Sequence, residues 1–153
     1  MGTARTIALR KLTASARTRH ELDDALQKKN VPDEIARTVL DRLEEVGLID
    51  DEAFAQSWVE SRQQRRHLSR SALRRELQSK GVDRDQVDAA LATVDVEDEL
   101  TAARALAARK ASATSGLDPV VRDRRLAGVL ARRGFGSGII ATVLAEVRAE
   151  SGA

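Results

Sequence analysis

Apolar residues recur along this chain at the three- and four-residue spacing of amphipathic helices. In residues 21–40, ELDDALQKKNVPDEIARTVL, Leu22 and Leu26 lie four apart. This spacing places both side chains on one face of a helix. Asn30 tolerates the left-handed backbone that ends a helix, and Pro32 suits the start of the next one. The segment therefore predicts two consecutive helices, of which the second ends near Leu40.

The same pattern occurs three times in the sequence. Residues 72–91, ALRRELQSKGVDRDQVDAAL, and residues 125–144, RLAGVLARRGFGSGIIATVL, align with residues 21–40 at offsets of 51 and then 53 residues. Gly81 and Gly134 fall at the position of Asn30 and are predicted to end their helices in the same way. Phe135 follows the last stop, and we expect it to fold back onto the helix that it leaves.

A further helical stretch precedes each pair of helices, so the chain is predicted to contain three copies of a three-helix unit. We place them at residues 1–48, 49–95 and 96–153, with a polar linker, SATSGLD, at 112–118. A unit of this size buries only about 60% of the surface of its unfolded chain, so neighbouring units should pack together. The expected fold is all-α, with three tandem repeats forming an elongated, curved helical array.

The composition supports this fold and excludes several kinds of chemistry. Phe54, Trp58 and Phe135 are the only aromatic residues, so alanine and leucine supply most of the apolar volume. The sequence has no cysteine and only two histidines, which argues against disulfides, thiolate catalysis and zinc sites. No apolar run approaches the roughly 20 residues that span a bilayer. We expect a cytoplasmic protein without metal, cofactor or membrane contact.

The segment LIDDEAFAQSWV, residues 48–59, contains the most plausible alternative to a purely structural interpretation. Asp50 and Asp51 could form an acid/base or metal site, but an N-cap followed by a first-turn acid explains both. Phe54, Trp58 and Val59 form an i, i+4, i+5 stripe, as on a core face. The GFGSG segment, residues 134–138, lacks the spacing of a phosphate loop. No catalytic residue is predicted.

The charge pattern is more informative than the net charge of +2. Acidic and basic blocks alternate along the chain, and 21 of the 26 basic residues are arginines. Guanidinium groups suit both phosphates and carboxylates. Solvated helix faces that pair with one another remain the alternative. The candidate partner-binding residues are Arg62, Arg65, Arg66, Arg70, Arg74 and Arg75, and in the third unit Arg124, Arg125, Arg132 and Arg133.

Direct DNA binding by these arginines is the second hypothesis. Within residues 70–77, Leu73 and Leu77 are expected to face inward, which would place Arg70 and Arg74 together on the exposed side. No set of base-reading side chains stands out at the start of a helix, and aromatic residues for stacking on bases are scarce. Any DNA contact would be with phosphates and would depend strongly on salt. A scaffold for another partner is a third possibility.

The order of these features resembles the RecX family of bacterial recombination regulators. The resemblance rests on ALRKLTASARTRHELDDALQKKNVPDEIARTVLDRL, RLEEVGLIDDEAFAQSWVESR, LRRELQSKGV and LARRGFGSGIIATVL, which together cover nearly the whole chain. It implies a non-enzymatic protein of three helical repeats that binds RecA filaments, and we expect this protein to be a monomer. Inhibition of RecA ATP hydrolysis, strand exchange and co-protease activity is also implied by the resemblance. The residues themselves name no partner.

Overall fold

The structure is a computed structural model that describes residues 2–66 and 68–152, with the backbone alone for residues 64–66 and 152. Within this part of the chain the only regular secondary structure is helical, so the all-α prediction is confirmed. The helices are α1 (Gly2–Ala14), α2 (Arg19–Lys28), α3 (Asp33–Glu45), α4 (Asp51–Arg66), α5 (Arg70–Ser79), α6 (Arg84–Leu91), α7 (Val96–Arg109), α8 (Ala111–Thr114), α9 (Pro119–Arg132) and α10 (Ser137–Gly152).

The helices follow the three predicted triplets. Helices α1, α2 and α3 pack on one another, as do α7, α9 and α10, and α4 to α6 form the middle triplet along the chain. The predicted linker at 112–118 is partly helical, because α8 covers its first residues. Asp118 ends it as the N-cap of α9, where its carboxylate accepts a hydrogen bond from the Val120 amide at 2.9 Å. The boundaries between the three predicted three-helix copies, at 48/49 and 95/96, remain a prediction.

The middle helix of each triplet ends with the same hydrogen-bond pattern. Asn30, Gly81 and Gly134 have φ angles of 60°, 76° and 89°, as the sequence predicts for left-handed stops. In each copy the next residue's amide bonds back to a buried leucine carbonyl, which is the Schellman arrangement. The three bonds run from Val31 to Leu26, from Val82 to Leu77 and from Phe135 to Leu130, each at 3.1 Å.

Small residues recur at equivalent buried positions of the leading helices. Ala4, Ala55 and Ala103 are equivalent in the three copies and are at most 2% exposed. Four residues further on, Ala8, Val59 and Ala107 are also buried. Small side chains allow a helix to approach its neighbours closely.

This arrangement corrects the prediction for Phe54 and Trp58, which are only half-buried. Val59 of the predicted stripe is buried, and Ala55, four residues before it, occupies the core face with it in place of the two aromatic residues. Phe54 and Trp58 therefore stack on one another at the edge of α4, with ring centroids 5.8 Å apart.

The chain divides into two compact units. The first, unit 1, consists of Met1–Trp58 and Glu76–Ala90, and the second, unit 2, of Val59–Arg75 and Leu91–Ala153. The core of unit 1 includes Leu22, Leu26 and Leu40, whereas that of unit 2 includes Leu106, Leu130 and Phe135. Helices α4 and α5 contribute residues to both units.

Unit 1 contains a polar joint between the first and second triplets, which we call joint 1. The Thr18 hydroxyl, which also caps α2, donates a hydrogen bond to the Lys80 carbonyl oxygen at 2.7 Å. The Arg19 amide donates to the Asp51 carboxylate at 3.0 Å. Gly81 lies directly against His20, because a Cβ added to this glycine would stand 2.2 Å from the His20 Cβ. The next triplet thus satisfies one of the free amides at the start of α2.

Unit 2 contains the equivalent joint between the second and third triplets, joint 2. Here the Ser69 hydroxyl donates to the Arg133 carbonyl oxygen at 3.3 Å, and the Arg70 amide donates to the Glu99 carboxylate at 2.9 Å. A Cβ at Gly134 would stand 2.6 Å from the Ser69 Oγ. Each group occupies the same position in its triplet as its counterpart in joint 1, so the chain uses one joint design twice.

Candidate partner-binding surface

The predicted arginines fall on three helices of one compact unit. Arg62, Arg65 and Arg66 belong to α4, the set from 70 to 75 to α5, and the set from 124 to 132 to α9, with Arg133 as its C-cap. Every one of them lies in unit 2. The side chains of Arg65 and Arg66 lie outside the described residues.

Five of the remaining arginines are well placed to meet a partner. They are exposed, and no ion pair joins them to any side chain that the structure describes: Arg70, Arg75, Arg124, Arg125 and Arg132. Arg62, Arg74 and Arg133 are half-buried, and each interacts with another residue of the chain. The structure thus selects half of the predicted set as the exposed arginine surface.

The position of Arg74 corrects one detail of the prediction. Leu73 and Leu77 are fully buried, as expected for the inward face of α5. Arg74 follows Leu73 directly and lies at the edge of that face, where it is half-buried. Arg75 is one residue further around the helix and is exposed. The exposed arginines of α5 are therefore Arg70 and Arg75, and not Arg70 and Arg74.

The two compact units differ in charge. Unit 1 contains 11 basic and 15 acidic side chains, a net charge of −4. Unit 2 contains 15 basic and 9 acidic side chains, a net charge of +6. Each compact unit contains both acidic and basic blocks of the sequence, but their balance makes unit 1 acidic and unit 2 basic. A local excess of one charge attracts partners of the opposite charge and raises the rate of association.

Asp50 and Asp51 have structural roles in the acidic unit. Asp50 caps α4, since its carboxylate accepts a hydrogen bond from the Ala53 amide at 3.0 Å. Asp51 accepts from Arg19 in joint 1. Burial raises the pKa of the Asp51 carboxyl, and nearby Glu44 raises it further, against the opposing effect of the Arg19 amide. Among the residues that the structure describes, no group of histidine and carboxylate side chains is arranged to hold a metal ion.

A stacked aromatic pair lies beside joint 1, and the sequence did not indicate its polar partners. The Trp58 indole N–H donates to the Glu76 carboxylate at 2.9 Å. The Lys80 ammonium lies 4.5 Å from the centroid of the Trp58 ring and 3.3 Å from the Glu21 carboxylate. These contacts join side chains 18 to 59 residues apart, a separation at which helical periodicity has no predictive value.

Sequence reasoning also missed a cleft in unit 1. It has a volume of about 520 Å³, and carboxylates of Asp23, Asp33 and Asp83 line it beside Arg19 and Arg37. The GFGSG segment, by contrast, has no phosphate-loop geometry in unit 2, because Gly134 packs against Ser69 and Phe135 is buried. The exposed arginine surface remains the strongest candidate for partner binding.

Comparisons with known proteins identify the family. Models of the first, second and third three-helix domains of RecX match residues 4–43, 50–91 and 97–144. The regulatory protein RecX of Streptomyces lividans is 52% identical over 149 residues, which cover 97% of this chain and 79% of that protein. The RecX protein of Thermobifida fusca is 48% identical and covers 89% of this chain and 74% of its own.

Solved structures agree on the fold. The crystal structure of RecX from Lactobacillus salivarius has a TM-score of 0.88 at 22% identity, covering 97% of this chain and 96% of that one. A second RecX crystal structure has a TM-score of 0.83 at 24% identity, covering 93% of this chain and 70% of its own. Together these findings define the class of protein, an all-α chain of three-helix domains. The chain belongs to the RecX family of regulatory proteins, and its role is regulatory.

No helix in the described part of the chain is both long and apolar enough to cross a membrane.

Proposed function

We propose that this chain binds RecA filaments and inhibits their ATP hydrolysis, strand exchange and co-protease activity. The protein acts in the cytoplasm as a monomer, without catalysis and without a cofactor. Family membership supports a regulatory role, and the motif resemblance described above supplies RecA as the partner. The exposed arginine surface supports binding to an anionic or acidic face of the filament.

The observation that carries this proposal is the state of the five exposed arginines. A guanidinium that already pairs with a carboxylate of its own chain must break that pair before it binds a partner. Arg75 on α5 and Arg132 on α9 have no such ion pair with a described residue. Their unit has a net charge of +6, which favours the approach of an anionic surface.

A titration of ATP turnover tests the proposal. RecA, ATP and single-stranded DNA are mixed with increasing amounts of the protein, and phosphate release is measured. We expect ATP turnover to fall when the protein is present at a concentration well below that of RecA, because one bound regulator blocks a stretch of filament. Unchanged turnover at equimolar protein would contradict the proposal.

Charge reversal identifies the surface. The double variant Arg75→Glu/Arg132→Glu should raise the protein concentration needed for half-inhibition by about tenfold or more, since loss of charge pairs at an interface commonly costs over 1 kcal/mol. The matched control is Arg5→Glu/Arg10→Glu, which reverses two exposed arginines of unit 1. Equal inhibition by both variants, with unchanged helical circular dichroism, would exclude unit 2 as the contact surface.

Independent DNA binding is the second candidate, because the same exposed guanidinium groups fit phosphates. It predicts tight binding to naked DNA, with a log affinity that falls steeply with log salt concentration. A flat salt response, or binding to DNA only when RecA is present, would eliminate this function. The same double variant would then weaken binding to all sequences alike.

A further inference from the structure

The two joints explain why the first triplet has asparagine at its helix stop while the other two have glycine. The need for positive φ does not explain this difference. Asn30, Gly81 and Gly134 all adopt positive φ, a conformation available to both asparagine and glycine. At Gly81 and Gly134 the preceding triplet also packs against the Cα, so that a side chain there would collide with His20 or Ser69. At a joint, glycine both tolerates the positive φ and leaves room for the preceding triplet. Asparagine tolerates the φ but does not leave that room.

Asn30 occupies this position in the first triplet, where no earlier triplet exists in the described chain. Its side chain is exposed. A repeat placed before α1 with the joint geometry would bring the start of its middle helix onto the Cβ of Asn30, as His20 lies on Gly81 and Ser69 on Gly134. Asn30 thus blocks the surface that the second and third triplets use to accept a neighbour.

The third triplet differs from the others at the groups that donate in a joint. The residues equivalent to Thr18 and Arg19 are Arg122 and Asp123, at offsets of 104 along the sequence. Helices α2 and α5 have 10 residues each, whereas α9 has 14 and begins at Pro119. Asp123 therefore lies in the second turn of its helix, where amides bond within the helix and cannot donate to a neighbour.

Side chains of the last helix, α10, also contact Arg122 and Asp123. Arg122 donates a hydrogen bond to the Ser151 hydroxyl at 2.6 Å, and the Arg148 guanidinium donates to the Asp123 carboxylate. These residues of α10 contact the positions at which a following triplet would dock. The surface that donates in joints 1 and 2 is absent from the third triplet.

We propose that the repeat series is closed at both ends, by Asn30 at the first triplet and by the extended start of α9 with its α10 contacts at the third. A second copy of this chain cannot add to either end through the joint geometry. The closure blocks the docking of a further triplet through the joint geometry, and its basis lies in residues that differ from their counterparts in the other triplets. This inference does not depend on RecA as the partner.

Opening the ends tests the closure. Asn30→Gly opens the accepting end, and replacement of residues 119–123, PVVRD, by the equivalent RHLSR of residues 66–70 opens the donating end. Each variant alone should sediment as a monomer, like the wild-type protein. An equimolar mixture should give a dimer, and the combined variant should give longer assemblies whose size grows with concentration.

A comparison of thermal stability tests whether a side chain at a joint glycine collides with the preceding triplet. This test does not require assembly. Gly81→Asn should lower the thermal unfolding midpoint far more than Gly47→Asn. Gly47 has a similar φ of 80° but nothing within 4 Å of an added Cβ, so it isolates the cost of φ. Two outcomes would overturn the proposal: equal midpoint losses, or combined and mixed variants that fold, as judged by circular dichroism, and remain monomeric. End-to-end association of the wild-type protein would do the same.

Discussion

Joints 1 and 2 join equivalent helices with equivalent groups, yet they are not equally tight. The hydroxyl-to-carbonyl distance is 2.7 Å from Thr18 to Lys80 and 3.3 Å from Ser69 to Arg133. Joint 1 also has the Glu21–Lys80 ion pair, with the Lys80 ammonium over Trp58. Ala72 stands in joint 2 at the position of Glu21, so the corresponding ion pair cannot form there.

The difference extends to the surfaces of the two units. In unit 1 the lysine and arginine closest to the joint are paired: Lys80 with Glu21, and Arg19 with Asp41 and Glu44. In unit 2 several arginines remain exposed without a described ion pair, and the net charge is +6. The comparison teaches that one joint design is compatible with opposite net charges, −4 in unit 1 and +6 in unit 2.

The largest expected effects test whether the two units share one unfolding transition. Leu22 and Leu126 are equivalent core residues, each 1% exposed. Leu22→Ala and Leu126→Ala should each lower the free energy of unfolding by about 2–5 kcal/mol, because a cavity remains where the side chain is removed. Urea unfolding followed by circular dichroism measures the loss.

The same experiment can separate the units. If both variants shift a single transition, α4 and α5 couple the units into one cooperative structure. A second transition in only one variant would show that the units unfold independently. Val120→Ala is the control, because Val120 is 63% exposed and its truncation should change the free energy of unfolding by less than about 0.5 kcal/mol.

Removing the cap hydroxyls compares the joints directly. Thr18→Val should cost about 1–3 kcal/mol, because it leaves the Lys80 carbonyl and the Glu21 amide without their partner in a buried setting. Ser69→Ala should cost less, about 0.5–2 kcal/mol, since its bond to Arg133 is longer. Urea midpoints give the order. A larger loss for Ser69→Ala would show that the distances do not reflect the strengths of the joints.

The sequence predicted the local elements well because their causes are local. The three helix stops follow from residue types that tolerate positive φ, and the N-cap at Asp50 follows from a carboxylate three residues before a free amide. Val59 was placed correctly in the core, but Phe54 and Trp58 were misplaced because Ala55 and Val59 have the same spacing one residue further along. Periodicity alone therefore gave two possible core faces for α4, and the choice depended on packing against other helices.

The joints were not predictable in the same way. Their hydroxyl-to-carbonyl hydrogen bonds connect residues 62 and 64 positions apart, and the carbonyl belongs to backbone that any residue provides. The exposed arginine surface was predicted in part, because helical spacing cannot decide whether a residue beside the core face is half-buried. Arg74 and Arg75 differ by one position and have different exposures for this reason.

The smallest expected effects concern pH, and they have opposite signs in the two units. In unit 1 burial raises the pKa of Asp51, so the folded state loses stability as pH rises from the ordinary aspartate range through the raised pKa. In unit 2 the hydrogen bond from Arg104 lowers the pKa of Glu146, so its contribution is present above the ordinary glutamate range and is lost as pH falls through the lowered pKa.

Asp51→Asn, whose amide oxygen can still accept from Arg19, should therefore gain stability relative to the wild-type protein as pH rises. Glu146→Gln should lose it, and Glu34→Gln on the exposed side of α3 controls for removal of a charge. Urea midpoints measured from acid to neutral pH give both difference curves, and curves of the same sign would contradict this contrast between the units.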